Sequence, residues 1–182
     1  LGVTVDHALR PNSASDAKSV GEILRNCGIS HEIRRYLGKT PSSRIQESAR
    51  FFRYNLLGKL CREFGILHLL VGHHAADQRE TVLMRRCQGS GLLGLAGMSA
   101  VQEKSGYRIL RPLLKIEPER LKTYLKELGI NWIEDESNKN KVFMRVRARR
   151  YLQSNQSFQS TNLGLVRRRY ETQLAAWLAS YA

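Results

Sequence analysis

Acidic residues are scarce in this chain: 16 Asp and Glu stand against 30 Lys and Arg in 182 residues, a net charge of +14. Long apolar runs are missing. No stretch approaches the roughly 20 apolar residues that span a bilayer, and no basic segment followed by a long apolar one opens the chain. Neither membrane insertion nor secretion is expected, and no membrane partner. Cysteine is sparse as well: Cys27, Cys61 and Cys87 are odd in number and show no CxxC spacing. That excludes a disulfide framework and the usual zinc or redox motifs, leaving reduced, packed thiols in a cytoplasmic setting. HExxH and GxSxG are also absent, so neither a zinc hydrolase site nor a nucleophile elbow is indicated.

What is present is positive charge in runs. Between Lys139 and Arg150 stand Lys139, Lys141, Arg145, Arg147, Arg149 and Arg150 with no acid, and Arg167-Arg168-Arg169 follows. One such run is equally well a solvated face. Two unbalanced runs favour contact with phosphates, and nucleic acid is the leading polyanion.

The N-terminal half alternates strand and helix signals. Leu1–Asp6 is a short β-branched run, expected as a buried strand that stops at Asp6-His7 and Pro11. Ser13 or Ser15 can cap a helix carrying Ala17, Val20, Leu24 and Cys27, with Gly28 as its stop. Ile29–Tyr36 is a second strand. Ser42 or Ser43 opens a longer helix with Ile45, Ala49, Phe52, Leu56 and Leu60 on one stripe, ending near Gly65, and Ile66–Gly72 is a third strand. This alternation predicts an α/β fold, a doubly wound, mainly parallel sheet with helices on both faces. Parallel strands end on one edge, so Asp6-His7 and His73-His74 are expected to converge on one crevice.

The densest chemistry is His73-His74-Ala75-Ala76-Asp77-Gln78-Arg79-Glu80-Thr81, followed by Gly89-Ser90-Gly91 and Gly94-Leu95-Ala96-Gly97-Met98. Asp77 and Glu80 are three apart at a helix start, hence on one face near its positive end. Such a pair can hold Mg²⁺ or position an amine. Equally, Asp77 can cap the helix and Glu80 complete a capping box. The glycines suit turns with positive φ. Farther on, Tyr107–Leu110 reads as a strand, and Pro118 starts a helix that buries Leu121, Leu125 and Leu128 before Gly129.

HHAADQRET, GSGLLGLAGM, Arg111-Pro112-Leu113-Leu114 and Trp132-Ile133-Glu134-Asp135-Glu136-Ser137-Asn138 occur in this order, preceded by LGVTVDHALRP. In these motifs the chain, from Leu1 to about Leu152, resembles the catalytic domain of the tRNA(Ile)-lysidine synthetase family, within the PP-loop ATP pyrophosphatases. The resemblance implies an adenine nucleotide alpha hydrolase-like fold and an ATP-dependent carbon–nitrogen ligase. ATP adenylates the C2 oxygen of the wobble cytidine in tRNA(Ile) with a CAU anticodon, free L-lysine displaces AMP, and Mg²⁺ assists. It implies catalytic roles for Arg53, His73, Asp77 and Glu80, with Asp77 also a candidate Mg²⁺ ligand. Asp6, His7 and Gly72 would lie near the nucleotide. Arg111, Arg145, Arg147, Arg149 and Arg150 would face RNA phosphates or maintain the fold, and a homodimer is a further possible partner state.

Three departures stand beside these matches. The family's SGGxDS phosphate loop is absent from the 182 residues, Ala76 replaces a second acid, and Val146 stands where FxRNRxR has asparagine. A fragment that begins inside the family's second strand is expected, one that alone is inactive and binds ATP poorly. Its expected parts are a catalytic domain over 1–153, a polar linker over 154–162 and a helix over 163–182 leading elsewhere. A PP-loop tRNA thiolase and a noncatalytic RNA-binding remnant remain alternatives. Scattered cysteines disfavour the former.

Overall fold

The computed structural model describes residues 1–7, 12–36, 45–133 and 144–155, with 172, 173, 176, 179 and 180 near the C-terminus. The expected strand stop at Pro11, the caps at Ser42 and Ser43, the part of the Trp132–Asn138 motif from Glu134 onward and most of 156–182 lie outside these residues. The described residues form two compact units. One gathers those of Leu1–Leu69, Ser105–Tyr107 and Thr123–Glu134, the other those of Leu70–Lys104, Arg108–Lys122 and Asp135–Ala182.

The first unit begins β1 (Gly2–Asp6), α1 (Ser13–Asn26), β2 (His31–Arg35), α2 (Ile45–Glu63). Strands β1 and β2 are parallel, in register from Gly2 opposite His31 to Asp6 opposite Arg35. A parallel pair needs a crossover, and α1 supplies it. The helix starts one residue earlier than a serine cap requires: Asn12 is the N-cap, without a side-chain cap bond, and Ser13 is already helical. Gly21 sits inside this helix, where glycine costs about 1 kcal/mol relative to alanine. It is retained by contact, because a Cβ there would lie 2.6 Å from His31 Nδ1. Gly28 takes φ +71° and ends the helix as expected.

Burial is thinner than the sequence suggests. Along β1 only Asp6 is buried, and Leu1 keeps 62% of its surface exposed. The cause is the narrow sheet, with two strands among the described residues. Cys27 and Cys87 are exposed rather than packed, because one caps α1 and the other ends α3 (Ala75–Cys87). Cys61 is buried beside Leu57 and Leu60 on α2, and burial pushes its thiol pKa up.

The remaining elements are β3 (His68–Leu70), α3, α4 (Leu92–Leu95), β4 (Val101–Lys104), β5 (Tyr107–Leu110), α5 (Pro118–Glu127) and α6 (Met144–Ser154). The sheet order is β3-β5-β4. Strand β4 was not expected. Its signal was the Ser105-Gly106 turn between two short runs, with Gly106 at φ +83°. Helix α5 forms where Pro118 and Gly129 bracket it, yet none of the three expected leucines is buried: Leu121 and Leu125 are half-buried, and Leu128, beyond the last turn, is 53% exposed.

Candidate active site and basic helix

Four residues, Val71 to His74, separate the end of β3 at Leu70 from the start of α3 at Ala75. Its N-cap is His74, in extended conformation at φ −121° and ψ −177°. The His74 N–H donates to Asp77 Oδ2 at 3.0 Å, and the Asp77 N–H donates to His74 Nδ1 at 3.4 Å. The capping box therefore exists, but one turn earlier than Asp77 with Glu80: Asp77 is the reaching carboxylate, not the cap. Two orphan donors of the first turn are satisfied by this pair.

The second oxygen of Asp77 faces helix α6. Arg145 Nη2 lies 3.5 Å from Asp77 Oδ1, while Arg145 Nε donates to Glu80 Oε2 at 2.9 Å. Arg149 Nε donates to Glu80 Oε1 at 2.6 Å. The Glu80 side chain is 1% exposed. A buried carboxylate is tolerated only when both oxygens are paired, and two guanidiniums one helical turn apart do so here. Leu83 and Met84 of α3 pack with Ala148 and Leu152 of α6 directly beside this cluster.

This geometry divides the arginines of α6 by face. Arg145, Ala148, Arg149 and Leu152 follow the helical stripe turned towards α3. Arg147, Arg150 and Tyr151 lie on the opposite, exposed stripe. Val146, read as a departure from an RNA-contact pattern, is 7% exposed and part of the core. Arg111 is turned inward as well, at 5% exposure. Its Nη1 donates to the Ser99 carbonyl at 2.8 Å and its Nη2 to Gln102 Oε1 at 3.0 Å. The alternation of Tyr107, Ile109 and Arg111, all buried, continues the inner face of β5 by one more step. A phosphate contact at Arg111 is therefore not available on this surface.

The glycine-rich segment after α3 is held by side chains that the sequence did not single out. Gln78 uses both ends of its amide on Met98: Nε2 donates to the carbonyl at 2.9 Å, and the Met98 N–H donates to Oε1 at 2.7 Å. Arg85 Nη1 donates to the carbonyls of Gly94 and Gly97 at 3.0 and 3.1 Å. Gly97 has φ +71°, and a Cβ on it would lie 2.8 Å from the Gln78 amide. Arg79 makes a two-pronged bond to Glu117 at 2.6 and 2.7 Å, which holds the Glu117 carboxyl below its usual range.

In the first unit, Asp6 ends β1 almost fully buried, with Arg35 Nε at 3.7 Å across the parallel pair. His7 follows it, and Arg53 Nε donates to His7 Nε2 at 3.3 Å. Arg53 thus has His7 as its hydrogen-bond partner. Burial first, then the Arg53 cation, lowers the His7 pKa below its ordinary 6.5, against an opposing pull from Asp6. The ring is neutral near pH 7, and with Nε2 accepting, its proton sits on Nδ1. A lowered histidine pKa adds stability that is full above about pH 6.5 and is lost as pH falls through the lowered value. His7→Gln is expected to flatten the decline in stability as pH falls below about 6.5. Urea unfolding across that range checks it, and an unchanged pH profile would contradict it.

The donors around Asp77 do not suit Mg²⁺. One oxygen accepts a backbone N–H and the other faces a guanidinium, so the cation's place is taken by Arg145. Among the described residues no group of three His, Cys, Asp or Glu side chains is placed to hold a metal. Gly72 differs in kind: a Cβ there would meet no atom within 4 Å, so the protein's own packing does not require glycine. No helix among the described residues is long and apolar enough to cross a membrane.

The PP-loop domain family model matches residues 1–156. The chain is similar to tRNA(Ile)-lysidine synthases: 41% identical over 149 residues to that of Bradyrhizobium sp. strain BTAi1, covering 82% of this chain and 42% of the relative. It is 41% identical over 149 residues to that of Methylobacterium nodulans, covering 82% of this chain and 44% of the relative. To that of Hyphomonas neptunium it is 43% identical over 156 residues, covering 82% and 42%. The chain thus spans about two-fifths of the length of these curated relatives. Among solved structures, the U34-tRNA thiolase NcsA from Methanococcus maripaludis with its [4Fe-4S] cluster aligns with a TM-score of 0.75 at 15% identity, covering 95% of this chain and 61% of that one. At that identity the likeness establishes the fold alone.

Proposed function

Because the chain belongs to the PP-loop domain family, we propose that its residues 1–153 form catalytic machinery that ligates free L-lysine to the wobble cytidine of tRNA(Ile) with a CAU anticodon, using ATP. The observation that carries this is Asp77, a carboxylate on the first turn of α3 with 16% of its side chain exposed, held on one oxygen by the His74 N–H and flanked on the other by Arg145.

The chemistry has two balanced steps. The C2 oxygen of cytidine attacks the α-phosphorus of ATP, the bond to pyrophosphate breaks, and a C2–O–AMP ester forms. The lysine ε-amine then forms the C2–N bond, the C2–O bond breaks, AMP leaves, and the amine sheds a proton. Asp77 orients the incoming amine by charge and takes that proton, with His73 beside it on the same approach to α3. In the first unit Arg53 is held in place by its bond to His7. In the same unit His7 and Asp6 are the residues offered to the nucleotide; in the second unit Gly72 leaves open space beside the backbone. Glu80 acts at one remove, as a positioning residue that keeps Arg145 against Asp77. On α6, Arg147 and Arg150 take RNA phosphates, while Arg145 and Arg149 hold the helix.

The test supplies the protein containing this chain with ATP, radiolabelled lysine and a tRNA(Ile) transcript. Label should enter the tRNA only with ATP present and only when the wobble base is cytidine. Arg147→Gln with Arg150→Gln should raise the KM for tRNA about tenfold, leave kcat within about twofold, and reduce the salt dependence by about two phosphate contacts. Label entering a transcript with uridine at the wobble position, or none entering the cytidine transcript, would refute the assignment.

A further inference from the structure

We infer that the cleft between α1 and β2 seats one nucleotide of an RNA strand outside the reacting centre, a contact that rests on the tRNA substrate proposed above. The cleft has a volume of about 420 Å³ and is lined by Lys18, Gly21, Glu22, Arg25, His31 and Ile33. That is room for a nucleotide rather than for an isolated phosphate.

Three other cations of the same unit are committed to carboxylates. Arg34 pairs with Glu32, Arg35 with Asp6, and Lys59 with Glu63. Lys18 and Arg25 have no ion pair among the described residues, and both side chains border the cleft. Seven residues apart on one helix face, they stand about 10 Å apart along the axis. Glu22 lies between them on that face. A carboxylate midway repels a phosphate centred in the cleft and accepts a hydroxyl instead. Phosphates at the two ends and a ribose 2′-hydroxyl in the middle match this pattern of cation, acceptor, cation.

The wall opposite the helix is also shaped. His31 Nε2 lies 2.9 Å from Thr4 Oγ1, which fixes the ring, and the missing side chain at Gly21 lets the imidazole lie against the helix. Ile33, 42% exposed on the same side of β2, offers an apolar surface to a sugar or base. These features come from α1, β1 and β2 and share no residue with the group around Asp77.

Binding of a fluorescent tRNA(Ile) transcript, followed by anisotropy over a salt series, tests this. Lys18→Gln with Arg25→Gln should weaken binding about tenfold and lower the salt slope by about two. Lys122→Gln with Lys126→Gln, the same charge loss on α5, should change affinity less than about twofold. Glu22→Gln should narrow the preference for an RNA hairpin over a DNA hairpin of the same sequence. Equal effects of the two lysine-containing pairs, an unchanged slope, or an unchanged RNA preference would overturn the cleft. If the parent chain binds tRNA while the cleft variants behave like it, only the cleft is lost. If the parent binds no tRNA, the tRNA reading falls and the cleft falls with it.

Discussion

Glu80→Ala is expected to lower stability by about 3 kcal/mol, because it strips the shared anion from two guanidiniums packed against α3. The lost partners are Arg145 Nε at 2.9 Å and Arg149 Nε at 2.6 Å. Both arginines keep about a third of their side chains in solvent, 33% and 36%, and can turn outward, so the cost falls at the low end for a broken buried pair. Urea unfolding measures it, and a loss under about 1 kcal/mol would show that the cluster is not what joins the helices. Replacing the whole cluster, Glu80→Leu with Arg145→Met and Arg149→Met, should recover stability to within about 1 kcal/mol of the parent, since no charge is then left buried. That triple variant should still fail in lysine transfer. Arg145 no longer faces Asp77 in it, whereas a purely structural cluster predicts recovery of both properties.

Asp77→Asn should abolish most lysine transfer, by a factor on the order of 10² to 10³, while leaving tRNA affinity within a few-fold. The substitution is chosen because asparagine retains an oxygen for the His74 N–H, now at 3.0 Å from the carboxylate. It therefore separates the cap from the charge. Asp77→Ala loses both, and should add about 1 kcal/mol of instability to the same loss of transfer. Near-normal transfer by Asp77→Asn would assign Asp77 to the capping box alone and leave the reaction without its proton acceptor.

Much of the local structure was legible because it depends on neighbours in sequence. Gly28, Gly65 and Gly129 close helices in the left-handed conformation where their positions said they should. The strand–helix alternation gave α/β character, and β1 and β2 pair in parallel. The sequence marks a capping box at this helix start but points to it one turn too late. Histidine is an unusual cap, and the Asp77-to-Glu80 spacing mimics the box that His74 and Asp77 form. The Ser105-Gly106 hairpin carries a legible turn signal, but the polar run Val101–Lys104 does not mark itself as a strand. Arg111 was legible in principle, two residues beyond Ile109 on an alternating strand, but a basic residue in a basic chain invites assignment to the surface.

The chain by itself determined its family, its positive charge and the cluster of imidazoles and carboxylates at the start of α3, because these are properties of residue type and short-range order. Which arginine does what was decided only in three dimensions. A guanidinium is equally at home on a phosphate or on a buried carboxylate, and sequence carries no sign of which anion is nearer. The packing of α6 on α3 brought Glu80 to Arg145 and Arg149, residues 65 and 69 positions away. It left Arg147 and Arg150 facing solvent. The same long-range proximity filled the place beside Asp77 with Arg145, where the sequence had suggested Mg²⁺.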